Sequence, residues 1–269
     1  MTERPKWVPE SVADTVPSPA RMYDYLLGGG HNFAADREMV DKLGAITSLI
    51  VHVAMHNRAF LRRAVQTLVA SGVRQFLDLG SGIPTVGNVH EIAQQADPQA
   101  RVVYVDNDPV AVSHSELVLE GNDRATAILA DMRDPAAILT HPKTRRLLDF
   151  DAPIGLLIVA MFHYITDSDD PMGLLARYRE ALAPGSHLVM SHMCTELNPA
   201  GVASVVTLMN SGPNPVHPRP RAEIADLFTG YQVLEPGLVP TPLWRPDAGC
   251  DAGDDAGDDV MLAGLGIKL

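Results

Sequence analysis

The sequence predicts an α/β fold: a doubly wound, mostly parallel sheet covered by helices. Three observations point to it. Short apolar runs alternate with helical patterns between residues 75 and 191, the spacing of successive βα units. The pairs Asp108-Pro109, Asp134-Pro135 and Asp170-Pro171 each put a capping acid before a proline that suits the first helical position. The stretch Gln75-Phe76-Leu77-Asp78-Leu79-Gly80-Ser81-Gly82-Ile83-Pro84-Thr85 reads as a buried strand, an acid at its carboxyl end, and a tight glycine turn. Strand, glycine turn and helix make the first unit of a nucleotide-binding sheet, whose ligands gather at the carboxyl ends of the strands.

The elements follow in order. Residues 1–19 contain Pro5, Pro9, Pro17 and Pro19 and read as an extended arm or cover. Residues 20–27 fit two helical turns, ended by Gly28-Gly29-Gly30. A helix over roughly 36–56 comes next, then a clearer one over 58–70, with Phe60, Leu61, Ala64, Val65, Leu68 and Val69 on one stripe and Gly72 as its stop. Strand one is 75–79. Val86, Val89, Ile92, Ala93 and Ala96 predict a helix over 86–96 that starts beside Pro84. Strand two is 102–105, ending at Asp106-Asn107-Asp108, and strand three is 126–130, ending at Asp131. Strand four is 154–160, a continuous apolar run of the kind central parallel strands show. A helix opens at Asp170-Pro171, and strand five is 187–191.

The tail changes character. Residues 212–221 hold four prolines and read as a loop, followed by a short helix over 221–228. Strand candidates at 231–239 and 260–268 read as an antiparallel edge pair, giving seven strands in all. Between them, 247–259 carries six Asp and no Lys or Arg. It has too little apolar surface to offset its ordering cost and is expected to be a mobile acidic loop. The whole reads as one domain over 1–269, with an N-terminal arm and helical cover over 1–72 and the α/β core over 73–269.

Composition narrows the function. Hydrophobic residues make up 46% of the 269, and the net charge is −12. That balance argues against nucleic acid as a main partner. No apolar run approaches a membrane span, and the N-terminus lacks an apolar signal core. Cys194 and Cys250 have no pairing or metal spacing. The expectation is a cytoplasmic protein with no membrane or nucleic-acid partner.

The acids at the strand ends carry the chemistry. The dinucleotide fingerprint requires a third glycine where Thr85 stands, and Asp78 repels a phosphate. An acid there suits a ligand with an ammonium and no phosphate, such as the methionine end of S-adenosylmethionine (AdoMet). Asp106, 24 residues after Gly82, stands where ribose hydroxyls are accepted in related folds, unless it only caps a helix. Asp131 and Met132 suit an adenine, the acid accepting from the amine and the thioether packing on the ring. His52 and His56 stand four apart, but Val53 lies where the zinc-protease pattern needs Glu, so no metal site is expected.

Asp78, Asp106 and Asp131 together resemble the class I AdoMet-dependent methyltransferases. Arg21-Met22-Tyr23-Asp24-Tyr25-Leu26-Leu27-Gly28-Gly29-Gly30-His31-Asn32-Phe33-Ala34-Ala35-Asp36-Arg37 and Asn57-Arg58-Ala59-Phe60-Leu61-Arg62-Arg63-Ala64 narrow the match. They closely resemble a bacterial S-adenosyl methyltransferase family long catalogued as a domain of unknown function. His31 departs from the charged residue expected after the glycine run. The resemblance implies a Rossmann-like class I fold, AdoMet as cofactor, and an unidentified acceptor, expected to be a small molecule. It implies cofactor contacts from Asp78, Gly80, Ser81, Gly82, Asp106, Asn107, Asp131, Met132 and Ala160. Arg58 pairs either with the cofactor carboxylate or with Asp36. Met161-Phe162-His163-Tyr164 follows strand four, where the acceptor meets the cofactor in this fold, so His163 is a candidate base, and Phe162 and Tyr164 are candidate acceptor contacts. Tyr23, Tyr25, Asn32 and Asp36 are candidates for the cofactor mouth or for fastening the N-terminal segment. Two other readings stay open: an AdoMet sensor without turnover, and a nicotinamide dehydrogenase.

Overall fold

The computed structural model describes residues 13–46, 50–84, 87–247 and 259–269. Three helices come first: α1 (Pro19–Leu26), α2 (Ala34–Ile46) and α3 (Ile50–Ala70). The division differs from the expected helices over 36–56 and 58–70. Residues 50–56 belong to α3, because Ala54, Asn57, Phe60 and Leu61 continue one buried face. Then come β1 (Gln75–Leu79), α4 (Val89–Ala96), β2 (Arg101–Asp106), α5 (Pro109–Val118) and β3 (Ala125–Leu129). Two short helices, α6 (Pro135–Thr140) and α7 (Pro142–Leu147), lead to β4 (Gly155–Val159), α8 (Pro171–Ala181) and β5 (His187–Met193). The chain ends with α9 (Pro199–Met209), α10 (Arg221–Asp226), β6 (Tyr231–Val233), β7 (Val239–Pro240) and β8 (Met261–Lys268).

The sheet runs β3-β2-β1-β4-β5-β8-β6, with the two-residue β7 also on β8. The first five are parallel, and β8 is antiparallel to β5, β6 and β7. The described residues therefore form eight strands rather than seven. The reason is local: Val239 and Pro240 pair with Ala263 and Leu262 separately from β6, so the apolar run at 231–239 is two short strands. The chain steps outward from β1 to β3, then crosses back to β4 on β1's other side, which opens a crevice at the carboxyl ends of β1 and β4.

Strand residues alternate between two cores. Phe76, Val102, Leu157 and Val189 face one, together with Phe60, Ala64 and Leu68 of α3. Leu77, Val103, Leu156 and Leu188 face the other. Helix α3 thus packs on the sheet itself. The first helix after β1 starts at Val89, with Asn88 and Glu91 closing a capping box. Pro84 is therefore in the preceding loop and not at a helix terminus, and residues 85 and 86 lie outside the described residues. Most of the acidic stretch, 248–258, also lies outside them. Its ends are fixed: Asp247 pairs with Arg62, and Asp259 is buried, accepting from Thr241 Oγ1 and the Met261 N–H.

Candidate active site

A cavity of about 320 Å³ opens where β1, β2, β3 and β4 end, within the size range of small-molecule sites. Its floor is the β1 turn. Gly80 and Gly82 have φ of 70° and 66°, left-handed values that L side chains resist. Gly80 must also be bare for a second reason: a Cβ there would lie 2.3 Å from Met161 Cγ. The backbone of β1's turn and the Met161 side chain of β4's turn are thereby pressed together across the crevice.

Four carboxylates reach this cavity: Asp78, Asp106, Asp108 and Asp131. Asp78 is 6% exposed. Burial pushes its pKa up to about 7, against the pull of Arg58 and with a further push from Asp106. A carboxyl held at that point gains most from a ligand that brings a positive charge. Asp106 is raised to about 6, mainly by burial. Its two oxygens accept the Gly82 and Asp108 N–H groups at 2.8 Å each. It therefore shapes both strand-end turns and still has lone pairs toward the cavity. Asp108 caps α5, accepting from the Val110 N–H at 2.8 Å. Asp131 differs: its side chain is 37% exposed and is gripped by Arg133, which holds its pKa below the usual value.

The roof comes from sequence-distant residues. Ser18, Pro19, Ala20 and Tyr23 close one side and Pro213, Asn214 and Pro215 the other. Asn214 Nδ2 donates to the Pro17 carbonyl at 2.8 Å. Arg21, buried, bonds Asp36 at 2.9 Å and Asp108 at 3.1 Å, and Ser18 Oγ also donates to Asp108. One guanidinium thus fastens the N-terminal segment to the β2 loop.

A hydrogen-bonded chain runs through the wall. Tyr23 OH donates to the Ala54 carbonyl at 3.0 Å and accepts from Asn57 Nδ2 at 3.0 Å. Ser191 Oγ donates to Asn57 Oδ1 at 2.5 Å and accepts from the Ala160 N–H at 2.8 Å. Ala160 has φ of 54°, a costly conformation for alanine that its surroundings must hold. The chain ties α1, α3 and β5 to the corner where β4 turns over the cavity.

The structure brings together Asp78, Gly80, Ser81, Gly82, Asp106, Asn107, Asp131, Met132, Ala160, Arg58, Tyr23 and Tyr164. It separates others. Asp36 is fully buried and bonds Arg21, the Ser18 N–H and the Phe33 N–H, so it fastens the arm and does not meet the cavity. Its cation is Arg21; Arg58 instead donates to Asn88 Oδ1 at 3.1 Å. Asn32 is held by Asp24, the Gly29 carbonyl and Arg37, and a Cβ on Gly29 would overlap the Asp24 carboxylate at 2.0 Å. The glycine run and Asn32 therefore build a turn around Asp24. Tyr25 packs on the apolar cluster containing Met22 and Val40. Phe162 is fully buried in the core beneath the sheet, among Ile158 and Leu174. His163 lines a second, neighbouring cavity and not the large one. It is 4% exposed, and burial, His192 and Arg219 hold its pKa well below the ordinary value.

Reading the sequence missed Ser18, Ser191, Pro213 and Pro215. The only signal was the proline run at 212–221, and it says loop without saying where the loop lies. Helix α9 was missed as well. Asn198 caps it before Pro199, the same polar-residue-then-proline signal that found the other helices.

Residues 5–269 match the family described as S-adenosyl methyltransferase. The chain belongs to that family. A crystal structure named as a methyltransferase from Thermobifida fusca YX, a provisional name, is 39% identical, covers 98% of this chain and 99% of its own, and superposes with a TM-score of 0.92. A DUF574 family protein from Streptomyces avermitilis MA-4680 is 38% identical, with 95% and 99% covered and a TM-score of 0.92. A provisionally named S-adenosyl-L-methionine-dependent methyltransferase from Mycobacterium avium (strain 104) is 30% identical over 175 residues, 61% of this chain and 54% of its own length. The chain spans about half the length of the curated relatives it matches. The sheet order is that of the class I methyltransferase fold, and the family's cofactor is AdoMet.

Proposed function

We propose that this protein transfers a methyl group from AdoMet to a nucleophilic atom of a small molecule. The observation that carries this is Asp78, a buried carboxyl poised near pH 7 inside an acid-lined crevice at the end of β1. The cavity offers four carboxylates against Arg58 and Arg133, and Arg133 is already bound to Asp131. That lining accommodates an ammonium and hydroxyls, and it opposes the pyrophosphate of a dinucleotide.

When bound, AdoMet supplies an electrophilic methyl carbon on a sulfonium. Asp78 would hold the ammonium, Asp106 the ribose hydroxyls, and Met132 with Asp131 the adenine. Held there, the cofactor would offer that methyl to the acceptor's lone pair and keep the carbon–sulfur bonding pair on sulfur, and the acceptor's proton would pass to solvent. Ala160, fixed by Ser191 and Asn57, sets where donor and acceptor meet, and alignment alone is worth up to ~7–11 kcal/mol in favourable cases. His163 is a neutral, weakly basic imidazole, suited to accepting a hydrogen bond from the acceptor and not to storing its proton.

Calorimetry with S-adenosylhomocysteine and with NAD tests the cofactor, and radiolabelled methyl transfer to a panel of small nucleophiles tests turnover. Micromolar binding of S-adenosylhomocysteine is expected. NAD binding without it would defeat the reading, and cofactor binding with no transfer to any nucleophile would favour a sensor.

A further inference from the structure

Beside the cofactor crevice lies a second cavity of about 110 Å³. The two share the walls made by Pro19, Tyr23, Asn57, Ala160 and Tyr164. The second cavity is walled chiefly by Met22, Leu43, Val53, Val205, Met209 and Met261, and among the described residues no Asp, Glu, Lys or Arg lines it. Its polar contacts are few. The Tyr23 hydroxyl is already committed to Ala54 and Asn57. His163 Nδ1 is buried and has no hydrogen-bond partner.

We infer that the acceptor is an uncharged, largely apolar molecule of about one ring, carrying one O–H, N–H or S–H nucleophile, seated in this second cavity with that group toward Ala160. The inference rests on the methyl-transfer reading. Size sets the scale: the space is of the order of the ~150 Å³ that takes a benzene, so one ring matches it. Charge sets the class, since an ionised group here would lose its hydration with no counterion to replace it. Met22, Met193, Met209 and Met261 let the wall adapt to ring substituents. Position sets the reacting end, because the wall shared with the cofactor crevice carries Tyr23, Asn57 and Tyr164 beside Ala160.

Fluorine NMR on the full chain, with and without S-adenosylhomocysteine, tests this using 4-fluorophenol, 4-fluorobenzoate and 4-fluorobenzylammonium. The phenol should broaden and shift with a Kd on the order of 1 mM, as its few atoms allow. The anion and the cation should bind at least tenfold more weakly. Val205→Phe and Val53→Phe fill the cavity from two different helices, α9 and α3. Each should weaken the phenol at least tenfold while S-adenosylhomocysteine affinity, read by calorimetry, stays within twofold. If one variant fails to fold, the other carries the comparison. Equal binding of the charged probes, no binding of the phenol, or phenol binding that survives in a folded filled variant would overturn the inference. Failure of S-adenosylhomocysteine to bind the parent would instead strike the methyl-transfer reading, and the phenol arm without cofactor keeps the two failures apart.

Discussion

The crevice at the strand ends is walled by four carboxylates, and the cavity beside it by methionine, leucine and valine. They touch at Ala160 and Tyr164, so a distance of one residue separates a charged environment from an uncharged one. The difference lies in what builds each wall. Strand ends expose turns rich in short polar side chains, whereas the second cavity is enclosed by the inner faces of α1, α2, α3 and α9, which are apolar because they pack on one another. A methyl transfer can use both kinds of wall: one for a polar, charged donor, and one for an uncharged acceptor.

Asp78 offers the largest test of that contrast. Asp78→Asn should weaken S-adenosylhomocysteine by about a hundredfold, the upper range for hydrogen bonds to a charged group. In the parent, affinity should rise between pH 5.5 and 7.5 as Asp78 ionises, and the variant should lose most of that slope in calorimetric titrations. Stability should move the other way. The folded pKa is raised, so the cost of the ionised acid is absent below pH 4, grows between about 4 and 7, and is full above 7. Asp78→Asn should therefore raise the Tm of the ligand-free protein at pH 8 more than at pH 5. A variant that binds like the parent at pH 7.5 removes Asp78 from the site.

Asp106→Ala should cost about tenfold to a hundredfold in affinity. It should also lower Tm by several degrees, because the Gly82 and Asp108 N–H groups lose their acceptor. Asp106→Asn should fall between, as its amide oxygen can still accept one of the two. Unchanged affinity in a folded alanine variant would leave Asp106 with the turn alone.

Asn57→Ala acts on the wall the cavities share. It leaves the Ser191 hydroxyl without its acceptor, while Tyr23 keeps the Ala54 carbonyl, at a cost of about 1–3 kcal/mol, visible in denaturant unfolding. Turnover should drop about tenfold with S-adenosylhomocysteine affinity nearly intact; equal loss of both would mean that the network supports only the fold. His163→Phe should cut turnover by less than tenfold at saturating acceptor, since a true general base is worth ~10²–10⁴. A larger loss with a shifted pH profile would make His163 the base. Asp131→Ala should be the smallest, a few-fold in affinity, because that acid is exposed and already gripped by Arg133. A loss comparable to that at Asp78 would place adenine recognition on its carboxylate.

The sequence by itself determined the five parallel strands and the acids that end the first three of them. Each such unit is local: an apolar run, an acid and a glycine or proline sit within about ten residues, and their conformational preferences act on neighbours. Asp78, Gly80, Gly82 and Asp106 were legible for that reason, and so was the close family resemblance around Tyr23 and Asn57. Only the tertiary structure decided which polar residues of the N-terminal helices line the cavity. Asp36 and Asn32 are as polar as Tyr23 and Asn57 and lie in the same motifs, but they are spent on Arg21 and Asp24. It also decided that Phe162 turns into the core while its neighbour His163 meets the second cavity, and that Ser191 reaches Asn57 across 134 positions. Partners that far apart are chosen by how complete helices and the sheet pack and by which buried donors are left to satisfy, and no local pattern records that choice.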